Sequence, residues 1–203
     1  IVSQKKKSDN TNYISENRAW TGDTQGYEYL YLNPKFQNLF KLIEEQVLIY
    51  IKKFGFNTNK INIYFQRAWA TVSSKNQNIS SHDHPQSHIS FAYYLKKSKL
   101  DGGITFIDKH KHNEFIKNSF GSRTLIEQKV IEKSTFLNSN SVNFSPEQDD
   151  IVIFPSKTLH ATQINNTENT RISISADITV ISKNTAKIEQ LITPIDKWKK
   201  FAD

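Results

Sequence analysis

The pattern of apolar and polar positions divides the chain into one long helix followed by a series of short strands. Asn33-Pro34 supplies an N-cap and a first-turn proline. Phe36, Leu39, Phe40, Ile43, Val47, Ile51 and Phe54 then recur at helical spacing until Gly55. A helix with a single apolar stripe should lie on a sheet, and the segments after it supply one. Strands are predicted over 61–72, 87–95, 103–107, 142–144, 151–154, 160–164 and 171–180. Turn signals separate them, among them Asp101-Gly102-Gly103, Ser145-Pro146-Glu147 and Asn165-Asn166. Many short strands in series predict a mainly β fold, a sandwich or barrel. Residues 1–26 are polar and irregular and read as an N-terminal arm. The stretch 108–141 is long and polar and reads as an insertion or lid. One or two short helices are expected after Asn184, the last near Thr193-Pro194 with Ile195, Trp198 and Phe201 on one side. The 203 residues show no internal repeat and suit a single domain over 1–203.

Two strands carry more than hydrophobicity. In 171–180, Ile172, Ile174, Ala176, Ile178 and Val180 share one face, and Arg171, Ser173, Ser175, Asp177 and Thr179 share the other. In 88–95, Ile89, Phe91, Tyr93 and Leu95 oppose His88, Ser90, Ala92 and Tyr94. The apolar faces can pack under the helix. The polar faces are then expected to look into the mouth of a barrel.

Composition narrows the chemistry. There is no Cys, which excludes disulfides, zinc ribbons, iron–sulfur clusters and thiol nucleophiles. A metal would have to be held by His, Asp or Glu. The net charge of +7 comes almost entirely from Lys, 23 against the four Arg at 18, 67, 123 and 171. Base readout and phosphate clamping favour Arg forks, so the charge reads as a solvated surface and nucleic acid is not the expected partner. It also makes an Arg inside a patterned strand conspicuous. The longest apolar run, Val47 to Ile51, is far too short for a bilayer, so no membrane partner is expected. Ile1-Val2-Ser3 before Lys5-Lys6-Lys7 has no apolar core of a secretory signal. A cytoplasmic location is the expectation, resting on the visible residues alone because the chain does not begin with Met.

Three of the six His precede the strand at 88–95, in Ser81-His82-Asp83-His84-Pro85-Gln86-Ser87-His88. Period-2 geometry puts His82 and His84 side by side, in register with Ser90 and Tyr94. Two imidazoles so placed can chelate one metal, and imidazole suits iron, zinc, copper and nickel. A third, His160, follows the strand Ile151-Val152-Ile153-Phe154. Three His on one open-sided metal leave positions for substrate and oxygen. A His-x-His in a polar loop is more often solvated than ligating. His110-Lys111-His112 has the same spacing but no strand pattern behind it, and reads as surface.

In order, the chain shows His82-x-His84, Tyr93-Tyr94-Leu95, Asp101-Gly102-Gly103-Ile104-Thr105-Phe106, Phe154-Pro155, His160 and Arg171-x-Ser173. This series resembles the iron(II)/2-oxoglutarate-dependent oxygenases. The His-x-His-Pro and Phe-Pro-Ser stretches, with Trp69 upstream, resemble a poorly characterised subgroup of them. The resemblance covers about residues 61–180. It implies a double-stranded β-helix, of jelly-roll or cupin-like type, and an enzyme that takes Fe(II) as cofactor and 2-oxoglutarate as cosubstrate. It implies hydroxylation of a substrate by O2 with release of succinate and CO2. Carried over residue by residue, it gives His82, His84 and His160 as metal ligands. Arg171 and Ser173 would hold the distal carboxylate of 2-oxoglutarate, with Tyr94 adding a phenol. Trp69, His88 and Ser90 are possible pocket residues, Trp69 also fitting a core position.

Two departures from the family pattern matter. His84 stands where the family has Asp, so the implied triad is neutral; a triad completed by Asp83 or another carboxylate is the alternative. Pro146-Glu147-Gln148-Asp149-Asp150 stands where a Pro-x-x-Gly-Asp turn is usual. Two other readings stay open. A cupin-type metal enzyme would not use 2-oxoglutarate and would have no need of Arg171-x-Ser173. A non-catalytic β-barrel binding module would explain the altered triad. The prime substrate, small molecule or peptidyl residue, is not legible, nor is the oligomeric state. The lid and arm are expected to contact the substrate.

Overall fold

Asn33 caps the helical region through its side chain, which accepts a hydrogen bond from the Lys35 backbone N–H at 3.0 Å. One 3-10 turn, Pro34–Phe36, leads into an α-helix at Gln37–Lys53. The chain leaves through Gly55 at φ 79°, a left-handed conformation that glycine adopts without strain. Phe40, Ile43, Val47 and Ile51 are the buried stripe. This computed structural model describes all residues except 9–15, 109, 112, 185–187 and 202–203.

In chain order the helices of the described residues are α1 (Val2–Ser8), α2 (Gln37–Lys53) and α3 (Arg123–Glu127). The strands are β1 (Trp20–Thr21), β2 (Ile61–Ser73), β3 (Ile89–Lys96), β4 (Ile104–Ile107), β5 (Ser141–Phe144), β6 (Ile151–Pro155), β7 (Leu159–Thr162) and β8 (Arg171–Ser182). They form two antiparallel sheets, a larger one in the order β1-β2-β8-β3-β6 and a smaller one in the order β5-β4-β7. The double-stranded β-helix expected from the sequence is the fold observed. Ile172, Ile174, Ala176, Ile178 and Val180 on β8 are buried in one cluster with the α2 stripe. The helix therefore covers one face of the larger sheet and leaves the polar face of β8 to the other side.

A bulge in β2 decides what that polar face meets. Between Phe65 and Arg67 the register against β8 slips, so that Arg67 pairs with Asp177, Trp69 with Ser175, Thr71 with Ser173 and Ser73 with Arg171. One extra residue reverses the alternation of everything after it. It brings Arg67 and Trp69 to the polar face of β8.

Three sequence expectations are corrected. Residues 1–26 do not form a wholly irregular arm: α1 and β1 are ordered elements, β1 pairs with β2, and Ala19 and Trp20 are buried at 1% exposure. One indole filling a gap in the core leaves no periodic trace. The stretch after β4 contains α3, and none of its described residues lines the central cavity, so the expected contact with substrate there is not seen. Among the described residues after Asn184 there is one 3-10 turn, Ile195–Lys197, with Trp198 and Phe201 exposed.

Candidate functional site

The chain crosses from the smaller sheet to the larger one through residues 79–88. Ile79 and Thr162 are linked by two hydrogen bonds, at 2.7 and 3.1 Å. His82 and His160 exchange a pair of backbone hydrogen bonds at 2.9 Å each, and the His84 N–H donates to Ser156 O at 2.9 Å. The segment 79–84 thus runs beside β7. This fixes His82 opposite His160, with ring centroids 4.4 Å apart, and places the His84 ring 5.3 Å from that of His160. One ligand-type nitrogen from each of the three His lies within 4.8 Å of the others.

The partners of the other ring nitrogens decide the tautomers. His82 Nδ1 is 2.9 Å from Ser80 O, and His160 Nδ1 is 2.9 Å from Thr158 O. A carbonyl only accepts, so each Nδ1 carries the proton. His84 Nδ1 lies 2.6 Å from Asp177 Oδ1, another acceptor. In each neutral ring Nε2 is then the nitrogen that keeps a lone pair. Burial pushes His160 down to about 4, against a weaker opposing effect of its bond to Thr158, and burial also lowers His82. Both rings are neutral at pH 7 and able to ligate. The donor set fits a divalent transition metal. Asp83, the alternative third ligand, borders the cavity but is not in the cluster.

The cluster sits in a cavity of about 470 Å³, within the usual range for a small-molecule site. The larger sheet contributes Trp69, Ser90, Tyr94, Arg171 and Ser173 to its wall. Arg171 is 3% exposed. Its Nη1 donates to Asp101 O at 2.7 Å and Gln163 O at 3.2 Å, and its Nη2 donates to Ser73 Oγ at 3.2 Å. Among the described residues these are all its hydrogen bonds, so its Nε–H and one Nη2 hydrogen remain for another acceptor. The nearby acids are engaged elsewhere: Asp101 with Lys97 at 2.8 Å and Glu168 with Lys75 at 2.5 Å. Gly102, at φ 82°, lets the chain pass this closely, because a Cβ there would lie 2.9 Å from Arg171 Nη1. The buried Tyr94 phenol is pushed up to about 12, chiefly by burial, so it stays a donor.

The remaining sequence candidates divide. Trp69 is 5% exposed and stacks on His84, with centroids 5.7 Å apart. It is buried on the polar face, outside the core cluster beneath α2, and walls the site. Ser90 is buried at the wall and lies 2.8 Å from Ser156 Oγ. His88 is not on the site face, which corrects the sequence reading. The turn at Pro85-Gln86-Ser87 breaks the alternation, and the exposed His88 ring accepts the Val180 N–H at 3.0 Å beside a different cavity. His110 is exposed and lies beside another cavity, against β4; His112 lies outside the described residues. Asp177 and Arg67 were missed. Asp177 could have been found from its parity with Arg171 on β8, whereas the β2 bulge conceals Arg67. The N-terminal region adds Arg18, Thr21, Asp23 and Thr24 to the cavity lining.

Comparison with known proteins identifies the group. A family model described as "Putative 2OG-Fe(II) oxygenase" matches residues 67–177, more than half of the chain. The chain belongs to this 2OG-Fe(II) oxygenase family. Among solved structures, the non-heme alpha ketoglutarate dependent carbocyclase SnoK from nogalamycin biosynthesis shares the fold. Its TM-score is 0.52 at 12% identity, covering 89% of this chain and 73% of that one. HygX from Streptomyces hygroscopicus, with nickel and 2-oxoglutarate bound, has a TM-score of 0.48 at 13% identity, covering 87% of this chain and 75% of HygX. An oxidoreductase of the 2OG-Fe(II) oxygenase family from Burkholderia pseudomallei has a TM-score of 0.44 at 12% identity over 64% of this chain. The chain spans about half of that protein's length, 49%. No curated protein matches the chain in sequence. No described helix is long and apolar enough to cross a membrane.

Proposed function

We propose that the chain is a single catalytic domain, a 2-oxoglutarate-dependent hydroxylase acting on a small-molecule or peptidyl substrate in the cytoplasm. The observation that carries this reading is one cavity with two unlike ends. At one end three imidazoles present lone-paired Nε2 atoms. At the other, Arg171 is buried, and among the described residues it pairs with no carboxylate and has two donors left over.

In this reading His82, His84 and His160 hold Fe(II). Bound there, the metal supplies the site at which O2 is activated against 2-oxoglutarate. Arg171 grips the distal carboxylate of 2-oxoglutarate through the edge formed by Nε and Nη2, two parallel charge-assisted bonds of the kind a guanidinium makes best. Ser173 and the protonated Tyr94 donate beside it. Trp69 holds the His84 ring in its plane and keeps water from that side. The cavity lining at Arg18, Asp23 and Thr24 faces the substrate.

The test is direct. Fe(II)-loaded protein given 2-oxoglutarate and O2 should release succinate, and should do so faster with the true substrate present. Iron bound without any use of 2-oxoglutarate would favour the cupin reading. Neither iron nor 2-oxoglutarate bound would favour a binding module.

A further inference from the structure

Asp177 is 0% exposed, and five donors surround its carboxylate. Oδ2 accepts from Arg67 Nε at 3.0 Å, Arg67 Nη2 at 2.5 Å and Gln86 Nε2 at 2.8 Å. Oδ1 accepts from His84 Nδ1 at 2.6 Å and Ser87 Oγ at 3.3 Å. A carboxylate ringed by donors can only accept, so the His84 proton is fixed on Nδ1.

We propose that Asp177 is a positioning residue for the metal centre: it fixes the tautomer and orientation of His84 across the gap between the sheets and lends the three neutral imidazoles the negative charge they lack. The inference rests on the reading of His82, His84 and His160 as metal ligands. His82 and His160 lean on backbone carbonyls, which are neutral. His84 alone of the three leans on a full anion. An imidazole that donates to a carboxylate is a stronger base at its other nitrogen, and such outer partners govern metal affinity by about 10–100-fold. The rest of the surroundings serve the same contact. The β2 bulge sets Arg67 directly opposite Asp177, and the Arg67 guanidinium lies 5.1 Å over the Trp69 ring that stacks on His84. His84 is thus held by a hydrogen bond in the ring plane and by an indole on its face.

A purely structural Asp177 would serve the Arg67 ion pair and be indifferent to the metal. Zn(II) affinity of the full chain, measured by competition with a chromophoric chelator, separates the two. Asp177→Asn should weaken Zn(II) binding about 10–100-fold. In a His84→Ala background the same change should have no further effect, because its route to the metal is gone. An equal loss in both backgrounds, or no loss in either, overturns the proposal. Should Asp177→Asn fail to fold, NMR of the wild-type Zn(II) protein decides. His84 should be metal-bound through Nε2, with its Nδ1 proton shifted far downfield and slow to exchange. Metal bound at His84 Nδ1, or no such proton, overturns it. Wild type that takes up no Zn(II) sinks the ligand reading itself, a result distinct from normal affinity in Asp177→Asn.

Discussion

Replacing Arg171 with Lys keeps the charge and removes the fork. In the native structure the guanidinium satisfies Asp101 O, Gln163 O and Ser73 Oγ and still offers Nε–H and one Nη2 hydrogen to the cavity. An ammonium has three donors, and the protein acceptors can take all of them. The distal carboxylate of 2-oxoglutarate would then lose both bonds or share one. Hydrogen bonds to a charged group are worth about 1.5–3 kcal/mol each, so losing one to the fork predicts 2-oxoglutarate binding about tenfold to a hundredfold weaker. Any protein carbonyl left unpaired would lower stability by about 1–3 kcal/mol. Metal affinity should be unchanged, because none of the three imidazoles is altered. The assay is an anaerobic 2-oxoglutarate titration of Fe(II)-loaded wild type and variant, followed by the metal-to-ligand absorption band. Equal apparent affinity in two folded, iron-loaded proteins would refute the assignment of Arg171 and remove the main reason for preferring an oxygenase to a cupin.

His160 titrates at about 4 in the folded chain against 6.5 in its absence, so between those values the unfolded chain binds the extra proton. Stability of the metal-free protein should therefore be full above pH 6.5 and decline as pH falls toward 4, by up to about 3 kcal/mol, as read from urea midpoints; a flat profile over that window would count against a buried neutral ring. Trp20→Ala should destabilise by about 3–5 kcal/mol, seen as a large drop in Tm, whereas a residue on a loose arm would cost almost nothing. Changing His110 and His112 together to Ala should leave one metal per chain in elemental analysis, and its loss would mean that the wrong His pair was chosen.

The fold was legible because its periodic elements are long. The α2 stripe and the alternation of Arg171 through Val180 each state a face over many residues, and both faces are where the pattern puts them. The three His that come together were legible for the same reason, since His82 and His84 keep strand parity up to Pro85. The failures lie where parity breaks. The turn at Pro85-Gln86-Ser87 rotates His88 away from the cavity, and the bulge at Gln66 shifts Arg67 onto a face that simple alternation denies it. Trp20 was missed because two residues of strand have no period. Asp177 was visible on the polar face of β8 from the start. Its weight came only from the convergence of His84, Arg67, Gln86 and Ser87, which are remote from it in sequence.

The three imidazoles all belong to the layer built on β7, while Arg171, Ser173 and Tyr94 belong to the opposing layer. A cosubstrate chelating the metal at one end and gripped by the guanidinium at the other would act as a tie rod across the mouth of a two-jawed clamp. Without it, the jaws are joined near the site by the His84–Asp177 bond and the Trp69 stack on His84. Metal held by the three imidazoles would brace one layer, and a keto acid reaching from it to Arg171 would link that layer to the second. Ligands that bind only the folded chain stabilise it by an amount that grows with the logarithm of their concentration, so a filled site would tie the two layers more firmly than an empty one.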